Sequence, residues 1–345
     1  MQRVYIEKYG GYEQLKIRHS PRRDPDHGEV QIRVHAAGVN YADCIVRMGL
    51  YQSAKELVGL PITPGFEVSG TVSAVGRDVS GIEVGDAVMA ATFFGGYADW
   101  VTVSQDYVFA KPERFSFVEA AGTLATYLTA YYALFELTHP RRGDRILIHS
   151  AAGGVGMVLV QLAHTMGLTV TGVVGSSHKV PALAELKPAH IIDKSSAPLW
   201  ESVRVIEPEG YDVICDANGV ATLKDSYQHL RRPGKLVVYG FASMLPKSKG
   251  RPNWLKLLKD YLWTPRFNPL DLTTSSKSIL AFNLSYLFDR TDVLNDAMTQ
   301  FEALVSQGCL SPPRCTTYSF SSVAQAHRDI ETGETTGKLV LTFEV

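Results

Sequence analysis

The stretch RILIHSAAGGVGMVLVQLA, residues 145–163, decides the fold class. A short apolar run is followed by glycines and then by apolar residues at helical spacing. Ala151-x-Gly153-x-x-Gly156 matches the dinucleotide fingerprint with alanine in the first glycine position. Free amides and the helix dipole at such a turn form an anion site, although the same pattern also fits a tight turn without a ligand. The residues predicted to hold a pyrophosphate are Ala152, Gly153, Gly154, Val155 and Gly156.

Short apolar runs alternate with helical segments beyond this turn. The runs lie at 169–175, 190–193, 211–217 and 234–240, and SILAFNL at 278–284 is typical of a last strand. Strands that alternate with helices predict parallel βαβ units in a buried, doubly wound sheet.

The first third of the chain has a different texture. Alternating runs at 30–39, 67–76 and 85–92 predict the short strands of a barrel-like β domain, interrupted by a helix near 41–48. The tail GKLVLTFEV, 337–345, has the same texture, so we expect the chain to return to this domain.

The end of the second strand of the α/β region predicts which dinucleotide binds. NAD-selective sites place an acid there. Here Gly175 is followed by Ser176, Ser177, His178 and Lys179, which suit a 2′-phosphate better than a free hydroxyl. The alternative is a solvated, serine-capped helix start.

Composition limits the function classes. The 345 residues are 45% hydrophobic and 20% charged with a net charge of −1, which argues against disorder and against a polyanion-binding chain. No apolar run approaches a membrane span, and the N-terminal segment carries charges where a signal peptide needs an apolar core. Four cysteines form no CxxC pair. We therefore expect a soluble, reduced, cytoplasmic protein of two domains.

Several motifs together resemble one family. They are AAGVNYAD (36–43), PGFEVSGTV (64–72), GGYADWVTV (95–103), TYLTAYYAL (126–134), SAAGGVGMVLVQLA (150–163) and GKLVL (337–341). In combination they resemble the zinc-independent quinone oxidoreductases of the medium-chain dehydrogenase/reductase superfamily. YGFASMLPKSKG (239–250) and FNPLDLTTSSKSILAFNLSYL (267–287) are similar to the branch of the vesicle amine transport protein homologues.

The resemblance implies an α/β protein with a Rossmann doubly wound parallel sheet inserted into a GroES-like β-barrel catalytic domain. The catalytic domain would comprise 1–120 and 290–345, and the NADP-binding domain 121–289. The cofactor would be NADPH, in the cleft between the domains. The last strand, 278–284, would pair with its two-fold mate in a homodimer.

Zinc-dependent relatives hold a catalytic metal with a Cys-x-x-Asp motif, a Gly-His-Glu motif and a further cysteine. The matching positions here are Asn40, Phe66 and Ala125, whose side chains do not supply the ligands that zinc requires. The resemblance therefore implies hydride transfer without a metal, which favours activated acceptors such as quinones and α,β-unsaturated carbonyls.

Tyr51 and Asn40 are the candidate catalytic residues. Tyr51 lies at a G-x-Y position where related enoyl reductases carry an active-site tyrosine, and a phenol can donate a proton to an enolate. It could equally be a packing residue. The amide of Asn40 could donate a hydrogen bond to the nicotinamide or to the substrate carbonyl. Asp43 is expected to be a structural hydrogen-bond partner of a backbone amide.

Further cofactor contacts follow from the resemblance and from strand ends. Thr129 matches the threonine that contacts the nicotinamide, or is a helix threonine bonded to its own backbone. Asn218, Gly240 and Phe241 follow the fourth and fifth strands, where ligands bind in open α/β sheets.

The function implied is NADPH-dependent reduction of quinones or enones by a cytoplasmic homodimer. The alternatives are an enoyl-thioester reductase and a non-catalytic NADPH-binding regulatory protein. Nucleic acid is not an expected partner. The segment 245–272 predicts an amphipathic helix that serves as a cleft lid, a dimer element or a peripheral membrane contact. Basic residues accompany it: Lys247, Lys249, Arg251, Lys256 and Lys259.

Overall fold

The computed structural model describes residues 1–245 and 250–344. Within them the chain forms two compact units. One comprises 1–126, 250–251 and 285–344, and the other comprises 127–245 and 252–284. The sequence places the divisions nearby, at 120 and 290. Two of the basic residues named above, Lys247 and Lys249, lie outside the described residues.

Fifteen strands are found in the described ranges. They are β1 (Gln2–Tyr5), β2 (Lys16–His19), β3 (Glu29–Val39), β4 (Glu67–Val75), β5 (Ala87–Ala91), β6 (Trp100–Ser104), β7 (Val108–Ala110), β8 (Arg145–Ile148), β9 (Thr169–Val174), β10 (His190–Asp193), β11 (Tyr211–Asp216), β12 (Leu230–Val238), β13 (Lys277–Ala281), β14 (Cys315–Ser319) and β15 (Lys338–Thr342).

The same ranges contain twelve α-helices. They are α1 (Tyr41–Arg47), α2 (Gln52–Leu57), α3 (Phe117–Ala121), α4 (Leu124–Tyr131), α5 (Gly154–Thr165), α6 (Val180–Ala184), α7 (Leu199–Ile206), α8 (Leu223–Gln228), α9 (Trp254–Trp263), α10 (Pro269–Ser275), α11 (Thr291–Ser306) and α12 (Val323–Thr332). None of these helices has the length and apolar character needed to cross a membrane.

The first unit contains a sheet with the strand order β14-β15-β3-β4-β5-β7, and β6 also pairs with β3. The predicted return of the C-terminal tail is confirmed, because β15 pairs antiparallel with β3 through Leu339 and Val39. Alternation in β3 follows the two-residue period of a strand. Its buried residues include Val30, Ile32 and Val34, which join a core completed by residues of β4 and β15.

The second unit contains the predicted doubly wound sheet. Its six strands are parallel, in the order β10-β9-β8-β11-β12-β13. Leu147, Ile214 and Leu236 lie in one core cluster at 0% exposure because helices cover the sheet. β8 lies between β9 and β11, so the strands that follow it are added first on one side and then on the other. The carboxyl end of β8 is therefore the topological switch point of the sheet.

The amphipathic helix predicted in segment 245–272 is confirmed as α9. No residue of this helix is buried, and its apolar side chains are largely exposed. The most exposed are Leu255 at 83% and Trp263 at 72%, followed by Trp254 and Tyr261, each at 68%. Lys259 lies over the ring of Trp263, with Nζ 5.3 Å from the centroid.

Candidate active site

The turn between β8 and α5 has the geometry that the fingerprint predicts. Gly153 is the extended residue that precedes the helix. A Cβ atom on Gly156 would lie 2.6 Å from Cα of Ala151, so only glycine allows the helix to approach the strand this closely. The first turn of α5 presents backbone N–H groups that no helical carbonyl accepts. These features fit a pyrophosphate of a dinucleotide.

The residues after β9 are accessible, as a cofactor contact requires. Gly175 is exposed, and Ser176 and Lys179 are half-buried. The structure adds a cation that the sequence analysis missed. A Cβ atom on Gly175 would lie 3.5 Å from Cε of Lys194, a residue that follows β10. β9 and β10 are parallel neighbours, so the residues that follow them lie at the same edge of the sheet. This pairing is the signal from which Lys194 could have been predicted.

An acid also lies at this edge. Asp193, the last residue of β10, accepts hydrogen bonds at 2.5 Å from Oγ of Ser177 and at 2.6 Å from Oγ of Ser195. These hydroxyls lower the pKa of the Asp193 carboxyl, with the Ser177 bond as the largest cause. The residues that directly follow β9, 175–179, include no carboxylate, whereas the neighbouring strand β10 ends with one.

The turn after β11 is organised by a buried acid. Asp216 accepts from the backbone N–H groups of Asn218 and Gly219 at 2.8 and 3.0 Å, and from Oγ1 of Thr222 at 2.7 Å. Asn218 in turn accepts a bond from Oγ of Ser150 at 3.1 Å, so the ends of β8 and β11 are tied together. Gly219 has a φ of +80° and leaves no room for a side chain beside Phe241.

The remaining predicted cofactor residues lie in α4 and directly after β12. Gly240 is half-buried and Phe241 is 43% exposed, both directly after β12. Thr129 lies half-buried in α4. In the second unit, the ends of β8, β11 and β12 thus bring Asn218, Gly240 and Phe241 to one edge.

Tyr51 lies in an aromatic cluster of the first unit. Its ring is 5.8 Å from that of Phe66 and 6.3 Å from that of Phe94, both in edge-on arrangements. Its hydroxyl is 2.9 Å from Oγ of Ser285. The ring is therefore held on its faces by apolar neighbours, while its hydroxyl has a polar partner that sequence analysis did not find.

Asn40 lies beside an ion pair that the sequence analysis also missed. Nζ of Lys338 is 2.6 Å from Oε1 of Glu67 and 2.5 Å from Oδ1 of Asn40. Nδ2 of Asn40 donates to Oε1 of Glu67 at 3.0 Å, and the backbone N–H of Ala125 donates to Oε2 of the same carboxylate at 2.8 Å. Two of the three positions that correspond to zinc ligands thus converge on Glu67.

Asp43 has the structural role that its position suggests. Its carboxylate accepts from the backbone N–H groups of Asn40 and Gly65, each at 2.8 Å, and from the hydroxyl of Tyr97 at 2.9 Å. Burial raises the pKa of Asp43 to about 6, although these hydrogen bonds act in the opposite direction.

A separate buried cluster brings together three side chains that could bind a metal ion. One ligand atom each of Cys44, His327 and Glu331 lies within 4.8 Å of the others. Arg47 lies among them, with Nη2 2.7 Å from Oε1 of Glu331 and Nη1 3.2 Å from Nδ1 of His327. A guanidinium on these acceptors occupies the lone pairs that a cation would need, so the cluster is an ion-pair network.

Comparisons with known proteins agree with this architecture. Residues 26–137 match the alcohol dehydrogenase GroES-like domain, and residues 186–341 match a zinc-binding dehydrogenase domain. The synaptic vesicle membrane protein VAT-1 homolog of Danio rerio is 35% identical over 343 residues, which cover 99% of this chain and 70% of that protein. The chain belongs to the VAT-1 branch of the quinone oxidoreductase-like medium-chain dehydrogenases/reductases. The predicted family and fold class are therefore confirmed.

Two solved structures extend the comparison to enzymes. The Escherichia coli quinone oxidoreductase complexed with NADPH has a TM-score of 0.86 and 26% identity over 99% of this chain and all of that chain. The enoyl reductase CurK has a TM-score of 0.85 and 27% identity over 99% of both chains. Membership of this oxidoreductase family is thus established.

Proposed function

We propose that this protein is an NADPH-dependent reductase of quinones or α,β-unsaturated carbonyls that acts without zinc. The observation that carries the proposal is the chemistry of the three former ligand positions. Asn40 supplies an amide, Phe66 supplies an aromatic ring, and Ala125 has a methyl side chain and donates its backbone N–H to Glu67. No sulfur or imidazole lies at these positions, so the family's zinc-binding name describes ancestry.

The second unit would hold the cofactor. The glycine turn before α5 fits the pyrophosphate, and Ser176, Lys179 and Lys194 fit a 2′-phosphate at the end of β9. Thr129, Asn218, Gly240 and Phe241 would line the nicotinamide side. When bound, NADPH supplies the hydride. The chain's own task is to orient the acceptor and to stabilise the negative oxygen that hydride addition creates.

Tyr51 and Asn40 would act on that oxygen. An acceptor conjugated to a carbonyl delocalises the added electron pair onto the carbonyl oxygen. The Tyr51 hydroxyl can donate a hydrogen bond or a proton to the resulting enolate, and the Asn40 amide can donate a hydrogen bond. Donors of this kind replace the charge stabilisation that zinc gives in metal-dependent relatives.

A second candidate function is enoyl-thioester reduction. The similarity to the CurK enoyl reductase favours it, because the same donors would stabilise a thioester enolate. A non-catalytic NADPH-binding role is the third candidate. The VAT-1 homologues are named for a vesicle membrane rather than for a reaction.

The experiment measures the turnover of several acceptors through the loss of NADPH absorbance. Purified protein is mixed with NADPH and a quinone, an enone or crotonyl thioester, with and without a chelator. We expect turnover of quinones and enones that is unchanged by chelation. Faster reduction of the thioester would favour the second candidate, and NADPH binding without any turnover would favour the third. Activity lost on chelation and restored by zinc would overturn metal independence.

We also propose a homodimer. The predicted strand at the end of the sheet corresponds to β13, which pairs only with β12 among the described strands and has partly exposed Ile279 and Leu280. An unpaired apolar edge is an aggregation hazard unless a partner covers it. Light scattering at micromolar concentration is expected to give the mass of two chains, and a monomer would refute this proposal.

A further inference from the structure

The ion pair between Lys338 and Glu67 is buried beside a proposed catalytic residue. Lys338 is the first residue of β15, and Glu67 is the first residue of β4. Their side chains are 4% and 0% exposed. Such a buried pair is seldom more stabilising than apolar residues of similar size. Its place within hydrogen-bond distance of Asn40 therefore points to a role other than stability.

The pair fixes the orientation of the Asn40 amide. An ammonium group only donates hydrogen bonds, and an ionised carboxylate only accepts them. Oδ1 of Asn40 therefore faces Lys338 at 2.5 Å, and Nδ2 faces Glu67 at 3.0 Å. The flipped amide would place N–H groups against the ammonium and a carbonyl oxygen against the carboxylate. Both contacts would be repulsive.

This arrangement leaves one donor unused. Both carboxylate oxygens of Glu67 accept hydrogen bonds, from Asn40 and Lys338 on one side and from Ala125 on the other. The Asn40 amide has two N–H groups, and Glu67 accepts one of them. The other has no acceptor among residues 1–245 and 250–344. Asn40 is half-buried, so this N–H is accessible to a small ligand.

We propose that Lys338 is a positioning residue: with Glu67 it locks the Asn40 amide so that its free N–H group is presented to the substrate oxygen. This inference rests on the proposed reductase function. The donor lies at a position that holds a metal ligand in zinc-dependent relatives. The ammonium on Oδ1 also polarises the amide, which makes the remaining N–H a stronger donor.

Two sets of variants test the inference. Lys338→Met alone would leave Glu67 as an unpaired buried charge, so the main variant combines Lys338→Met with Glu67→Gln. The same pair of changes is also made in an Asn40→Ala background. Thermal unfolding and NADPH affinity are measured for every variant to establish that the fold and the cofactor site are retained.

We expect the double variant to lower kcat with enones by about 10-fold or more, the scale of one oriented hydrogen bond. Its NADPH affinity should stay within about two-fold of that of the parent. In the Asn40→Ala background the same two changes should alter kcat by less than about two-fold, since a residue that acts through Asn40 has nothing left to position. The proposal would be overturned if the double change lowered kcat by the same factor in the Asn40→Ala background as in the parent. Weakened NADPH binding in the double variant would also overturn it.

A readout independent of turnover separates this inference from the proposed function. The side-chain amide signals of Asn40 in a nitrogen-15 NMR spectrum are assigned by their loss in Asn40→Ala. In the parent protein one of the two protons should be protected from exchange by Glu67. Lys338→Met with Glu67→Gln should abolish that protection. Unchanged protection would refute the locking role even in a protein that reduces no acceptor.

Discussion

Arg47 and Glu331 form an ion pair that is fully removed from solvent, with Nη2 and Oε1 2.7 Å apart. The pair is embedded in further contacts. Arg47 donates to the carbonyl oxygens of Gly10 at 3.2 Å and Gly250 at 2.9 Å, and the ring of Tyr12 lies 4.5 Å from its guanidinium carbon. It thus joins α1, α12 and the backbone at residue 250 within the first unit.

Removing the guanidinium should destabilise the protein strongly. Arg47→Met leaves the Glu331 carboxylate buried without its cation, a loss of about 3–5 kcal/mol in comparable cases. The measurement is urea unfolding at neutral pH. Arg47→Met combined with Glu331→Leu is the matched control and should recover a large part of the loss, because no buried charge remains. A single variant within about 1 kcal/mol of the parent would contradict the prediction.

His327 gives stability a defined pH dependence. It lies at 0% exposure, and burial and the neighbouring Arg47 hold the pKa of its imidazole well below 6.5. Nδ1 accepts from Arg47, which leaves Nε2–H to donate to the Tyr97 hydroxyl at 3.3 Å. The folded state therefore keeps a neutral imidazole where the unfolded chain takes up a proton.

The sign of this effect follows from proton uptake. Below pH 6.5 the unfolded state binds one more proton at this site, so the free energy of unfolding falls as the pH falls. The slope due to His327 is at most about 1.4 kcal/mol per pH unit. Asp43, with its pKa raised to about 6, has the opposite sign between about pH 4 and 6.

We expect His327→Gln to remove the His327 slope. Urea unfolding of the parent and the variant is compared at pH 7 and at pH 5.5, and the stability difference between them should shift in favour of the variant at the lower pH. Asp43 is present in both proteins, so its contribution largely cancels. A difference that does not change with pH would show that the buried imidazole does not control acid stability.

The sequence predicted the fold because periodic patterns and the glycine turn are local signals. It also located β15 correctly from texture alone. It missed the relation of Lys338 to Glu67 and Asn40, since these residues are 271 and 298 positions apart and no pattern links them. The start of β12 was misplaced for a different reason. The strand begins at Leu230, whereas the sequence predicts a start at 234. The prediction is late because proline and glycine usually interrupt a strand, and here Pro233 and Gly234 lie within one.

Cofactor preference is tested at the end of β9. Lys179→Ala should weaken NADPH binding by about 10–100-fold, the scale of a charge-assisted hydrogen bond, and leave NADH nearly unchanged. Lys194→Ala should act in the same direction, since its side chain lies beside Gly175. Binding constants for both cofactors are measured by fluorescence. Lys224→Ala, an exposed position on α8, is the matched control for the loss of one positive charge. Equal losses for NADPH and NADH would exclude a 2′-phosphate contact.

A variant of Ser285 distinguishes a packing role of Tyr51 from a chemical one. The Tyr51 hydroxyl is 2.9 Å from Oγ of Ser285, which is itself buried. If the hydroxyl only anchors the ring, Tyr51→Phe and Ser285→Ala should have similar, small effects on kcat. A chemical role predicts that Tyr51→Phe is much more damaging than Ser285→Ala.

We expect the chemical role. Tyr51→Phe should lower kcat with enones by about 100–1000-fold, as removal of an oxyanion-hole donor does, with NADPH affinity near that of the parent. Quinones should lose less, because the hydroquinone anion is intrinsically more stable and water can protonate it. The measurement is kcat for both acceptor classes in the parent, Tyr51→Phe and Ser285→Ala.

A small loss shared by both acceptors and by both variants would assign Tyr51 to packing against Phe66 and Phe94. A large loss accompanied by weak NADPH binding would make the tyrosine a structural element of the cofactor site. Only a loss selective for enones is explained by a proton or hydrogen bond delivered to the enolate oxygen.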